Sequence, residues 1–496
     1  MIKTATKATK IGTSIYFEER PKIAHKTLAD TGLVVSQAGF GTYRIEKNSD
    51  HKDALIQALE KGVNLIDTSS NYGNGDSERC IGEALLDCFT RQTVRREQVV
   101  IVTKAGYIQG DLYQESQSRK KNNASFLELV EFDNELEHCI HPEFLANQIT
   151  DSLDRLNVDS VDVFLLHNPE YFKFHAQKTA VSVEQINTEY YARIKNAFLY
   201  LEEEVLAGRI SYYGVSSNTF GYHSTHPDAT DINELLRIKT EANLKHFKVI
   251  QCPLNIFEPQ ALHSLEKSCI EIAFENNIAV LTNRPFNAIY NHRLYRLAEV
   301  EDQEEIALIE VDDCLEEGIF QEADIKAVLE ELQVPEFVLN YFQLFSLLRD
   351  HFNDDLSFFD FKEHIATGYY PIITQLVNFM AEQRFELEVN EAFEEYIRMA
   401  NLNIRLIVNY LSNKQNSKMD DIKNFIYSKH PDLLSCYRLT NILLRLYRSQ
   451  AGVTSVLVGM RDADYVTSVL GELTEPIYKD AHKIWGDVTE LQHVIY

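Results

Sequence analysis

Short, continuous apolar runs alternate along this chain with longer stretches whose apolar residues recur every three or four positions. AGFGTY (38–43) precedes HKDALIQALEKG (51–62), NLIDT (64–68) precedes SERCIGEALLDCF (77–89), and VVIVTK (99–104) precedes PEFLANQITDSLDRL (142–156). VDVFLLH (161–167) precedes ARIKNAFLYLEEEVLAGR (192–209), after which come ISYYGVS (210–216), FKVIQC (247–252), LHSLEKSCIEIAFEN (262–276), IAVLTN (278–283), LTNILLRLYRS (439–449) and TSVLVGM (454–460). Runs that are apolar on both faces read as buried parallel strands, and the 3.6-residue recurrences as amphipathic helices that cover them. Eight such units predict an α/β fold of the (β/α)8 TIM-barrel type. A doubly wound open sheet is the structural rival, but no run leads into the G-x-G-x-x-G helix start of that class. Gly39 and Gly41 are followed by more extended sequence and read as tight packing at the first strand.

Two segments exceed what a minimal barrel of roughly 250 residues needs. One spans 107–141; the other, acidic, aromatic and helix-like, spans about 291–435. The second is too apolar for disorder and too long for an ordinary loop. The resulting organisation is an extension at 1–25, seven strands over 26–290, a helical insertion at 291–435, and the last helix, eighth strand and C-terminal segment over 436–496. Both insertions leave the C-terminal ends of strands, where barrel enzymes carry their chemistry, so they are expected to form walls or a lid. For the larger, a docking or oligomerisation module is the other expectation.

Composition narrows the function. Asp plus Glu number 75 against 48 Lys plus Arg, a formal net charge of −27, which argues against a nucleic-acid partner. The seven cysteines, at 80, 88, 139, 252, 269, 314 and 436, form no C-x-x-C pair. They read as reduced thiols of a cytoplasmic protein. No apolar run approaches the roughly 18 residues of a membrane span, and no secretory signal is read at the N-terminus. The sequon Asn123-Ala124-Ser125 is therefore given no role. His138, Cys139 and His141 lack a fourth ligand at familiar spacing, so no metal is expected.

Four polar residues stand where apolar runs end. Asp67 closes GVNLIDT, Tyr72 follows five residues later, Lys104 closes QVVIVTK and His167 closes VDVFLLH. Alone, each has a bland explanation: a capping Asp, a packing Tyr, a solvated Lys, a satisfied core His. Together, on three consecutive strand ends, they favour a site. A phenol, an ammonium, a carboxylate and an imidazole at one rim suit the delivery of a proton to a carbonyl oxygen.

The constellation resembles the catalytic tetrad of the aldo-keto reductases. The resemblance extends to KTLADTGLVVSQAGFGTYRI (26–45), IDTSSNYGNGDSERCIGEAL, VDVFLLHNPE, GRISYYGVSSNTF and GVTSVLVGMRDADYV, in the family's order. It implies an oxidoreductase that reduces an aldehyde, ketone or sugar carbonyl, or runs the reverse reaction. Hydride would come from a nicotinamide cofactor, since no side chain donates one. Tyr72 would be the general acid and base, with Lys104 lowering its pKa, Asp67 balancing Lys104, and His167 directing the carbonyl. The resemblance assigns Ser217, Asn218 and Gln251 to the nicotinamide carboxamide and Arg461 to an adenosine 2′-phosphate, favouring NADPH while admitting NADH.

The chain departs from the family in two places. Asn283 or Arg284, in TNRPFNA, occupies the position where many relatives stack an aromatic residue on nicotinamide, so that stacking comes from elsewhere, as from Phe286, or is absent. Ser468-Val469 replaces the usual Glu-Asn pair near the adenine. The competing reading is a nicotinamide-binding regulatory or scaffold protein that engages a protein partner through 291–435. A third, a metal-assisted lyase on the same barrel, is weaker. The expected partner is otherwise a small carbonyl or alcohol.

Overall fold

The structure, a computed structural model, describes residues 7–262, 267–290, 293–353, 355–433 and 438–495. Cys436 and positions 263–266 of an expected helix lie outside the described residues. Eight strands close into a barrel: β1 (Ala38–Gly41), β2 (Leu65–Asp67), β3 (Val100–Ala105), β4 (Val161–His167), β5 (Ile210–Ser216), β6 (Phe247–Pro253), β7 (Ala279–Asn283) and β8 (Val453–Gly459). Each pairs in parallel with its sequence neighbour, and β8 pairs with β1. The fold is therefore the expected (β/α)8 TIM barrel.

Strand alternation decides which residues face inward. Leu65, Val100, Val102, Val163, Leu165, Val249, Leu281 and Leu457 pack in one buried cluster. Continuing by two residues toward each C-terminal end gives Asp67, Lys104, His167, Gln251 and Asn283. The apolar interior is thus topped by polar side chains on the same face of the same strands. At the opposite end, a hairpin of His25–Thr27 and Val34–Ser36 contributes Leu28, Leu33 and Val35 to the cluster. Beside it, Ala8 N–H donates to Asp162 Oδ1 at 2.7 Å, while Asp162 Oδ2 accepts from Arg96 at 2.9 Å and Ile101 N–H at 2.8 Å. A fully buried carboxylate is stable only when its lone pairs are satisfied in this way.

The covering helices run at Ser49–Lys61, Asp76–Arg91, Pro142–Leu156, Val183–Leu206, Ile232–Glu241, Cys269–Glu275 and Leu439–Arg448. The fourth starts earlier than the expected 192, because Ser182 and Gln185 form a capping box and Ile186 and Tyr190 are buried. The fifth was not read from the sequence. Its cap, Asp231, and its buried Ile232, Leu235 and Ile238 supply a short amphipathic signal. Among the described residues no helix is long and apolar enough to cross a membrane.

The 107–141 segment folds as the helix Gly110–Lys121 and a small antiparallel sheet of Tyr107–Ile108, Leu136–His138 and Val130–Asp133. After a hairpin of Asn287–Tyr290 and Arg293–Arg296, the chain enters a second compact unit, chiefly Ala298–Asp432. That unit is helical, with Leu308–Glu331 and Leu387–Lys429 its longest members. Its own core includes Leu315, Phe342, Phe345, Phe361, Tyr396 and Ile407. A buried carboxylate there, Glu322, accepts from Phe345 N–H at 2.9 Å, Ser346 Oγ at 2.5 Å and Tyr396 Oη at 3.1 Å.

Barrel closure leaves no room at Gly214, where β5 and β6 shift register. A Cβ there would stand 1.7 Å from the Val249 carbonyl oxygen. Gly214→Ala is expected to cost roughly 1–3 kcal/mol or more through overpacking, read as a lowered denaturant midpoint. An unchanged midpoint would mean that β6 yields freely.

Candidate active site

Lys104 is fully buried, so its ammonium needs a full complement of acceptors. It has three: Asp67 Oδ1, Asp67 Oδ2 and the Thr68 carbonyl, each at 2.7 Å. Burial works against the ammonium and lowers its pKa, while Asp67 opposes the shift. Asp67 Oδ1 also accepts from Gln251 Nε2 at 2.7 Å. Gln251 Oε1 in turn accepts from Ser216 Oγ at 3.1 Å and Asn283 Nδ2 at 3.2 Å. One hydrogen-bonded set therefore crosses β2, β3, β5, β6 and β7.

Tyr72 arrives on the turn after β2. Its N–H donates to the Ser69 carbonyl at 3.1 Å, and Gly73 and Asn74 behind it adopt left-handed conformations. The ring is partly buried, with the Lys104 ammonium 5.2 Å from its centroid and the His167 ring 5.9 Å away. The expectation that Lys104 lowers the Tyr72 pKa is not met. Burial raises it well above the ordinary value, and Asp67 and Tyr43 add to the rise. The physical reason is that all three Lys104 donors are taken by Asp67 and Thr68, so the ammonium reaches Tyr72 already neutralised by a carboxylate. The phenol stays protonated at neutral pH.

His167 is held through Nδ1, 2.9 Å from Ser69 Oγ. The Ser69 hydroxyl also reaches Asn71 Oδ1 at 2.7 Å and the Lys104 carbonyl at 3.1 Å; only when its single proton goes to His167 Nδ1 does the ring proton sit on Nε2. Burial, then Lys104, then His138 hold the imidazole pKa well below its usual value, so the ring is neutral at pH 7. His138 Nε2 donates to the His167 carbonyl at 2.7 Å, and burial brings the His138 pKa down to about 4. The edge of Tyr107 packs on His167 at 4.7 Å between centroids. Between these groups only glycine fits at 106, where a Cβ would lie 2.3 Å from the His167 carbonyl oxygen and 2.6 Å from His138 Nε2. The 107–141 segment thus contributes an aromatic and a histidine beside the imidazole. Cys139 Sγ instead donates to the Leu127 carbonyl at 3.3 Å, and His141 Nδ1 accepts from Glu143 N–H at 3.3 Å. The three side chains weighed as metal ligands are each occupied separately.

The remaining expected residues divide. Gln251 joins the tetrad directly and Asn283 through Gln251, whereas Ser217 turns into a buried hydroxyl cluster, 3.1 Å from Thr219 Oγ1 and 2.9 Å from Thr230 Oγ1. Ser216, which sequence reasoning passed over, makes the contact to Gln251; alternation along β5 places it in phase with the inward residues. Asn218 is exposed, and its Oδ1 accepts from Arg284 Nη2 at 3.2 Å. Arg284 has a left-handed backbone and pairs with Glu258 at 3.0 Å. Arg461 follows β8, partly buried, close enough with Arg44 to disfavour the charge on Arg296, for which burial is the larger cause. Ser69 and Tyr107 were also missed, and His138 was weighed only as a metal ligand, since their contacts with His167 come from separate loops.

The chain is 30% identical over 169 residues to the NADH-specific methylglyoxal reductase of Escherichia coli (strain K12), covering 31% of this chain and 45% of that protein. It is 26% identical over 264 residues to the aldo-keto reductase YhdN of Bacillus subtilis (strain 168), covering 52% and 60%. The chain thus spans about half the length of these curated relatives. The aldo-keto reductase AKR11C1 from Bacillus halodurans (holo form) aligns over 95% of this chain and 96% of its own, with 14% identity and a TM-score of 0.45. The sequence profile of the Aldo/keto reductase family matches residues 38–305, more than half of the chain, and the chain belongs to that family.

Proposed function

We propose that this protein is a nicotinamide-dependent oxidoreductase that reduces the carbonyl of a small aldehyde, ketone or sugar, or oxidises the corresponding alcohol. The observation that carries the reading is the convergence of a protonated phenol, a paired ammonium and a neutral imidazole on one rim of the barrel. The cofactor, when bound, supplies or accepts the hydride. Tyr72 gives its proton to the carbonyl oxygen in reduction and takes it back in oxidation. The nascent tyrosinate forms beside the Lys104–Asp67 pair, with the Lys104 ammonium 5.2 Å from the ring centroid. His167, locked by Ser69 at Nδ1, directs Nε2 at the carbonyl oxygen and fixes its approach.

The residues present fit a nicotinamide carboxamide. Asn283 Oδ1 is buried without a hydrogen-bond partner among the described residues, and an amide N–H would satisfy it. At the other end of the cofactor, the neighbouring guanidiniums of Arg44, Arg296 and Arg461 favour an anion. That supports NADPH over NADH for this chain, although one relative bears the name of an NADH-specific enzyme.

Tyr72→Phe is expected to lower kcat by about 10²–10⁴ while nicotinamide binding, followed by fluorescence, stays within about twofold of wild type; retained turnover would remove Tyr72 from the mechanism. The raised pKa of Tyr72 sets the sign of the pH profile for reduction. The acid form is the active one, so kcat stays level through neutrality and declines only beyond the free-tyrosine value near 10; a decline near pH 7 would identify another acid. Arg461→Ala is expected to weaken NADPH by about tenfold or more and NADH by less than about twofold, measured by titration of each. Equal losses would detach Arg461 from the phosphate.

A further inference from the structure

Glu170 lies three residues beyond His167 and is fully buried. Its Oε1 accepts the Asn218 backbone N–H at 2.8 Å, linking the segment after β4 to the turn after β5. That turn carries Ser217 and Asn218. Its side chains are engaged on two further sides: Ser217 Oγ with Thr230, which also meets Tyr190 Oη at 2.8 Å, and Asn218 Oδ1 with Arg284. The Glu170 contact holds the main chain of that turn at the Asn218 amide. Glu170 Oε2, in contrast, is buried without a hydrogen-bond partner among the described residues. Such an oxygen costs stability, and an apolar side chain would avoid that cost.

The charged and titratable groups around Glu170 come from every neighbouring element: Arg284 after β7, Lys173 on its own helical turn, Tyr107 after β3, Tyr190 on the helix after β4, and Tyr222 after β5. Burial pushes the Glu170 carboxyl up to about 7, against the Asn218 amide, its own amide, the Ser217 hydroxyl and Arg284. Lys173 is brought down to about 8, again by burial first. Glu170 therefore changes charge near neutrality in a dry environment, where a charge is felt most strongly.

We propose that Glu170 is a positioning residue for the nicotinamide end of the cofactor site: it holds the Ser217–Asn218 turn through the Asn218 amide and, when ionised, favours the oxidised ring over the reduced one. The second part follows from chemistry, since the oxidised nicotinamide ring carries a positive charge that the reduced ring lacks. The proposal rests on the nicotinamide reading above. It assigns a role to a residue that makes no contact with the tetrad, so it is separable from the reaction itself.

The test uses the full chain and three ligands: NADP+, NADPH, and adenosine 2′,5′-bisphosphate, which has no nicotinamide. Dissociation constants are measured at about pH 6 and about pH 8, on either side of the Glu170 value of about 7. For wild type, the ratio of the NADP+ to the NADPH constant is expected to fall several-fold with rising pH. In Glu170→Gln, which keeps an acceptor for the Asn218 amide but cannot ionise, the ratio is expected to stay level. Glu170→Leu is expected to weaken both dinucleotides by about tenfold, the loss of one hydrogen bond to an ionisable group, and to leave the bisphosphate unchanged. A Glu170→Gln ratio that follows wild type overturns the proposal, and this arm decides it even if Glu170→Leu fails to fold by circular dichroism. Wild-type protein that binds neither dinucleotide overturns the nicotinamide reading and this proposal with it.

Discussion

The Lys104 ammonium has no water to fall back on, and the rest of the rim is arranged around that constraint. A buried lysine survives charged only if each of its three N–H groups meets an acceptor and its charge meets a counter-charge. Asp67 and the Thr68 carbonyl meet both conditions at 2.7 Å. Because Asp67 ends β2 and Lys104 sits near the end of β3, the ion pair also sets the relative height of the two strands. The carboxylate's remaining capacity draws in Gln251, and through it Ser216 and Asn283. A single desolvated charge thus organises five strands.

The same pair determines what kind of acid Tyr72 is. An unpaired ammonium beside the ring would pull the phenol toward its anion at rest. A neutralised one leaves burial to dominate, and the phenol remains protonated. His167 is treated in parallel: burial and the neighbouring Lys104 and His138 keep the imidazole neutral. Two groups with opposed demands are tuned by one low-dielectric site.

Around this rim the chain makes two excursions of different kinds. The first, 107–141, returns to the site, with Tyr107 on the His167 ring and His138 on its carbonyl. Glycine at 106 is the steric condition for that return. The second forms a helical unit with its own core. Its apolar periodicity, strong enough to exclude disorder from sequence, reflects packing within that unit, as the satisfied Glu322 at its centre illustrates.

Periodicity by itself determined the barrel: eight apolar runs and the amphipathic stretches between them admit few other arrangements, because parallel strands buried on both faces need helices to cover them. Strand-end chemistry likewise marked Asp67, Lys104 and His167, since alternation carries the inward phase of each run to its polar end. The same rule would have selected Ser216 over Ser217, but two adjacent serines at a strand end are distinguished only by phase, and the motif drew attention to the second. The ten-residue helix at Ile232–Glu241 and the early start of Val183–Leu206 fell below what short periodic patterns resolve. What only the tertiary structure decided are the quantities that depend on several strands meeting: the direction of the Tyr72 pKa, the lock of Ser69 on His167, and the burial of Glu170. Each is set by the local dielectric and by partners from five to more than a hundred residues away in the chain, and the dielectric is not written in the neighbouring sequence.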